Sequence, residues 1–162
     1  MADDLVVKGN SKQEKYQSLL PQIKSLVSAE KNLIANLSNI TSALKYGMDF
    51  FWVGFYFVEG DELILGPFQG PVACTRIKFG KGVCGTSWNE KKTILVEDVE
   101  KFPGHIACSS MSKSEIVVPG FDSSGKVIFV LDVDAITLSC FDSIDQNYLE
   151  EICKLVSGLM SR

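Results

Sequence analysis

The chain has 162 residues, enough for one ordinary domain that buries about two-thirds of its unfolded surface. Hydrophobic residues at 46% against 22% charged residues exclude a disordered chain. Sixteen basic against twenty acidic residues give a net charge of -4, which excludes the broad basic face that nucleic acid or an anionic membrane surface requires. The N-terminal stretch MADDLVVKGNSKQEKY has neither the basic start nor the apolar centre of a signal peptide. The longest apolar run, residues 50–58, falls far below the ~20 residues of a membrane helix. A cytoplasmic protein is expected, and there thiols stay reduced. An odd count of five cysteines then suits reactive thiols better than a structural disulfide framework.

Residues 1–10 read as a flexible tail before a single domain over residues 11–162. From Ser11 to Val27 the apolar positions Tyr16, Leu19, Leu20, Ile23, Leu26 and Val27 recur at helical spacing, with Pro21 predicting a kink or a division into two helices. A second helix carries Leu33, Leu37, Ile40 and Leu44 on one face and is expected to stop near Gly47. The pattern then changes to FFWVGFYFV, an aromatic and β-branched run that reads as a strand buried on both faces. Gly60-Asp61 reads as a two-residue hairpin turn into a strand at 62–65. Residues 73–79 predict a third strand by alternation, with Cys74 on the same face as Arg76 and Lys78. A turn at 80–85 leads into a short helix, and 93–96 predicts a fourth strand. Residues 98–113 have no period and read as a long functional loop. Strands from Glu115 and through KVIFVLDVD follow, and Ser143 to Gln146 has the form of a capping box opening a last helix. The fold class is α+β: a six-stranded, mainly antiparallel sheet with the N- and C-terminal helices packed on one face.

The stretch from Cys74 to Pro119 concentrates the chemistry. It holds Cys74, Cys84, Cys108 and the only histidine, His105. Gly80 to Gly85 matches G-x-G-x-x-G, but the short distance to the next strand leaves no room for a dinucleotide-binding crossover. A zinc site on Cys74, Cys84, Cys108 and His105 lacks any C-x-x-C pair, so neither metal nor cofactor is expected. Cys153 and Cys140 fit as buried small hydrophobes; Cys74 beside two cations, and Cys108 near His105, fit thiolate chemistry instead. Asp132 and Asp134 lie two apart on a strand and share a face; either they mark the strand's exposed end, or, if partly buried, two like charges there need a cation such as a ligand's ammonium group.

Seven segments in order, IANLSN at 34–39, FWVGFY at 51–56, LGPFQGPVAC at 65–74, GKGVCG at 80–85, FPGHIAC at 102–108, SEIVVP at 114–119 and LDVD at 131–134, resemble the free methionine-R-sulfoxide reductases, which are single GAF-type domains. The resemblance implies a catalytic domain that acts on the free amino acid. It implies Cys108 as the attacking thiolate, Cys74 as its resolving partner with Cys84 as alternative or relay, and thioredoxin as reductant. It likewise implies Trp52 and Tyr56 around the substrate's methyl and sulfoxide, and Glu115, Asp132 and Asp134 for the ammonium group and for proton delivery, their roles undivided. Two positions depart from the family: Ser109, where an acidic residue is usual, and Gly120 after Pro119, where an aliphatic one is. A non-catalytic GAF-type sensor of a small ligand is the alternative, since the fold hosts many receptors. The sequence leaves oligomeric state open, a homodimer included.

Overall fold

The computed structural model describes residues 4–106 and 109–161. Helix α1 (Lys12–Ala29) starts at a capping box in which Ser11 and Glu14 satisfy each other's backbone amides. Pro21 lies inside α1 without dividing it, so the helix is one element rather than two. Helix α2 (Leu33–Met48) is capped by the Asn32 side chain and ends at Asp49, which takes the left-handed conformation with φ 60°. Gly47 is therefore not the terminator. A Cβ there would come within 2.8 Å of Leu19 Cδ2, so this glycine lets α1 and α2 approach closely.

The strands are β1 (Trp52–Glu59), β2 (Glu62–Gln69), β3 (Arg76–Lys78), β4 (Ile94–Val96), β5 (Ser114–Phe121) and β6 (Val127–Ala135). They form one sheet in the order β3-β2-β1-β6-β5-β4, with each neighbouring pair antiparallel. The expected α+β architecture is thus present, and with it the turn at Gly60-Asp61, flanked by the Glu59–Glu62 pair. No parallel crossover follows the glycine-rich loop, which instead opens helix α3 (Gly82–Glu90).

The sheet has two apolar faces. Val53, Phe55, Ile116, Val118, Phe129, Leu131 and Val133 face α1, α2 and the last helix, α4 (Ser143–Met160), in the larger core. Trp52, Tyr56, Leu63, Ile77, Val117 and Val130 face the other way, against Val83 and Cys84 of α3 and Val99 of the loop after β4. Helix α3 is thus the element that leaves the helical layer. Its side of the sheet carries the candidate site.

The cap of α4 lies one residue earlier than the sequence suggested. Asp142 is the N-cap, and its reciprocal partner is Asp145. A tertiary contact selects this register: the Asp145 carboxylate is fully buried, accepts the Tyr16 hydroxyl at 2.9 Å, and pairs with the Lys12 ammonium. Helices α1 and α4 are tied together there, beside the stacked rings of Tyr16 and Tyr148. Residues before α1 are also held, because Val6 exchanges hydrogen bonds with Gln22 and Leu5 and Val7 pack on the core. Among the described residues no helix is long and apolar enough to cross a membrane.

Gly120 has a structural reason. It lies opposite Phe129 in the β5–β6 register, and a Cβ at 120 would overlap the fully buried Phe129 ring. Gly120→Ala is expected to destabilise the fold by about 1–3 kcal/mol through overpacking. Urea unfolding measures it, and a change below about 0.5 kcal/mol would show that the ring relaxes freely.

Candidate active site

Three central strands build the site by register. Asp134 of β6 pairs with Trp52 on one side and Glu115 on the other; Asp132 pairs with Gly54 and Val117. Side chains that share a face of adjacent strands stand about 5 Å apart. Trp52, Asp134 and Glu115 therefore form one row across the sheet, and Asp132 stands in the next. Both sequence-derived pairings hold: Asp132 and Asp134 share a face, and so do Trp52 and Tyr56.

The aromatic wall is fixed in place. A Cβ at Gly54 would overlap the Trp52 ring, so that glycine is what lets the indole lie over its own strand. Trp52 stacks against Phe68 at 5.4 Å and Tyr56 at 6.1 Å, and its Nε1 donates to the Pro71 carbonyl at 3.0 Å. The buried Tyr56 hydroxyl donates to the Cys74 carbonyl at 2.9 Å, and burial raises its pKa. With Lys81, Cys84, His105 and the three carboxyl groups, these rings line one cavity.

The acidic end is unusual for a protein interior. Glu115 and Asp132 are buried, at 6% and 7% exposure, and Asp134 is partly exposed. Burial raises the pKa of Glu115, and the nearby charges of Asp132 and Asp134 add to it. Asp132 is raised by burial and then by Asp134, with its contacts to Glu115 and Cys84 opposing. Among the described residues Asp132 Oδ1 has no hydrogen-bond partner. Three carboxyl groups in one apolar cavity cannot all ionise unless a cation joins them.

Of the thiols, Cys84 stands in the first turn of α3 and points into this cluster. A helix N-terminus ordinarily favours a thiolate. Here burial dominates, reinforced by Asp132 and Glu115, and the Cys84 pKa is raised, so it rests as a thiol. Cys74 is not where strand alternation placed it. The regular strand begins only at Arg76, and Cys74 lies before it, half-buried against the apolar cluster of Ile77 and Leu63. It is disulfide-bonded, whereas Cys84, Cys140 and Cys153 are free. Cys108 lies outside the described residues. The lining thus brings together Trp52, Tyr56, Cys84, Glu115, Asp132 and Asp134.

Other lining residues gave no sequence signal. Ser112 donates its hydroxyl to Asp134 Oδ1, yet a serine in an aperiodic loop carries no such mark. Phe51 lines the cavity just before β1, where the apolar run hid it. Ser109, noted for its departure from an acidic residue, is also in the wall.

The GAF-domain family matches residues 37–161. A free methionine-R-sulfoxide reductase of Saccharomyces cerevisiae is 44% identical over 91% of this chain and 86% of its own. The chain belongs to the free methionine-R-sulfoxide reductase family. A solved free methionine-R-sulfoxide reductase from Neisseria meningitidis, in complex with its substrate, is 48% identical with a TM-score of 0.96, over 99% of this chain and 96% of that one. The GAF domain-containing protein A of Dictyostelium discoideum is 59% identical over 98% of this chain and its whole own length. Family membership thus covers the sheet, α3 and the loop between β4 and β5 together.

Burial raises the Asp134 pKa to about 6, opposed in part by the Ser112 hydrogen bond. An unfolded aspartate titrates near 3.9. The stability this group contributes is therefore full below about pH 4 and lost as pH rises through about 6. Asp134→Asn keeps the shape and removes the charge. It is expected to be more stable than the parent at pH 7.5, by on the order of 1–3 kcal/mol, with the gap closing towards pH 4. Urea midpoints at the two pH values test this; equal midpoints at pH 7.5 would mean that Asp134 is not strained by its surroundings.

Proposed function

We propose that the chain reduces free L-methionine-R-sulfoxide to methionine in the cytoplasm, with thioredoxin as reductant. The observation that carries this reading is the cavity itself. An aromatic wall suited to a methyl sulfoxide stands beside a buried carboxyl cluster, in which Asp132 Oδ1 has no hydrogen-bond partner among the described residues, and such a cluster calls for a cation. The ammonium group of a free amino acid supplies that partner; a methionine within a peptide does not carry one. The relatives named for this activity, one of them solved with its substrate, support the same substrate class.

In the proposed sequence the Cys108 thiolate attacks the sulfoxide sulfur while a protonated carboxyl of the Glu115, Asp132 and Asp134 cluster gives its proton to the sulfoxide oxygen. The raised pKa values keep a proton in the cluster near neutral pH, and a remaining ionised carboxylate holds the ammonium group. The oxygen passes to Cys108 as sulfenic acid, and methionine leaves with its sulfur reduced by two electrons. Cys74 then attacks the Cys108 sulfur, water departs, and a disulfide forms. Thioredoxin's two thiols reduce it by exchange. The bonded state of Cys74, with Cys84 free, supports Cys74 as the resolving thiol. The raised Cys84 pKa argues against Cys84 as the attacking thiolate and suits a proton-holding or relay role.

Turnover of separated R and S free sulfoxides with thioredoxin is the direct test. Activity is expected on the R form only, and Cys108→Ser is expected to abolish it. Cys74→Ser should still release about one methionine per chain in a single burst, then stop, because the sulfenic acid cannot be resolved. Sustained turnover by Cys108→Ser would reassign the nucleophile. Thiol titration of the parent should lose two thiols per chain on adding substrate, whereas a sensor domain would lose none.

A further inference from the structure

The acidic end of the cavity is also a set of metal donors. Cys84 Sγ and carboxylate oxygens of Glu115 and Asp132 lie within 4.8 Å of one another, and all three residues are buried. Zinc–ligand bonds of about 2.0–2.3 Å need such atoms roughly 3.3–3.8 Å apart, so the shell would close by at most about 1.0–1.5 Å. A second observation points to a ligand here: among the described residues the buried Asp132 Oδ1 has no hydrogen-bond partner. Orphaned buried oxygens in native proteins call for an ion, a water or a bound molecule. A fourth donor stands over the cluster, with His105 Nε2 3.7 Å from Glu115 Oε2. A neutral imidazole nitrogen has a lone pair to offer a metal.

The donor types select among cations. Thiolate, imidazole and carboxylate together suit zinc-type ions, whereas calcium and magnesium prefer oxygen alone. This is not the four-residue set Cys74, Cys84, Cys108 and His105 weighed from the sequence. It leaves Cys74 and Cys108 out and brings in two carboxylates contributed by β5 and β6. Because Cys84 is free while Cys74 is disulfide-bonded, the site is complete in the oxidised protein.

We propose that the cavity binds one zinc-type divalent cation through Cys84, Glu115 and Asp132, with His105 closing the shell, and that the ion excludes the amino-acid substrate. Exclusion rests on the function proposed above; binding does not. The ion would occupy the place the ammonium group needs and neutralise the same carboxylates. No electrons move. Cys84 gives up its thiol proton, and so does any protonated carboxyl among the ligands, so protons pass to solvent and affinity rises with pH.

The test uses the full chain with its Cys74 disulfide intact, titrated with Zn2+ by calorimetry and with Co2+ by absorption. One equivalent is expected to bind, with a thiolate-to-cobalt charge-transfer band and the visible bands of a tetrahedral ion. Cys84→Ser should remove the charge-transfer band, and Asp132→Asn should weaken binding at least tenfold, while Cys140→Ser changes neither. Absence of stoichiometric binding, or a band that survives Cys84→Ser, overturns the site. If Cys84→Ser does not fold, zinc X-ray absorption of the unaltered protein decides. One sulfur among nitrogen and oxygen ligands supports the site, and none or several sinks it. Calorimetric binding of free methionine-R-sulfoxide should weaken at least tenfold in the zinc-loaded protein; unchanged affinity overturns exclusion. A metal-free protein that fails to bind the sulfoxide at all counts against the functional reading and leaves the metal site standing.

Discussion

The structure turns on one constraint: three carboxyl groups brought within reach of one another on an apolar face of a sheet. The antiparallel register sets it, because β6 lies between β1 and β5 and aligns Asp134 with Trp52 and Glu115, one pleat away from Asp132. Nothing in the cavity's own packing rewards this arrangement. Burial raises the proton affinity of all three groups, and one oxygen has no partner among the described residues. The fold tolerates it because the opposite face is a continuous hydrophobic core against α1, α2 and α4. One face holds the sheet together, and the other can bear strain. Buried like charges of this kind are found where a protein needs an acid, a cation or both.

The helices were largely legible, because their apolar periodicity is strong and their caps are chemical. Their ends were less so. Gly47 looked like a terminator, yet its role is to admit Leu19, a contact between two helices that no local pattern encodes. The α4 cap moved to Asp142 because Asp145 is claimed by Tyr16 and Lys12 from α1. In both cases a long-range partner chose between locally acceptable residues.

The site shows the same division. Strand alternation was enough to put Asp132 with Asp134 and Trp52 with Tyr56, since period-2 geometry is rigid within a strand. Their meeting with Glu115 depended on strand order, which a single sequence does not specify by alternation. The family resemblance supplied Glu115 instead. Cys74 was misplaced for a related reason: alternation was extended two residues before the regular strand begins at Arg76, and a chain outside the regular ladder need not keep its pleat. Ser112 was silent because a loop residue's partner depends on how the loop returns to the sheet.

The hydrogen bond from Tyr56 to the Cys74 carbonyl links two processes that would otherwise be separate. If residue 74 shifts when its sulfur exchanges partners, it must either carry the tyrosine hydroxyl along or abandon it inside the protein. Leaving a buried donor unmet costs about 1–3 kcal/mol. Whatever rests against that ring is then thermodynamically linked to the oxidation state of the neighbouring sulfur. By reciprocity, filling the aromatic end shifts the redox potential, and a change of potential shifts how tightly that end is filled.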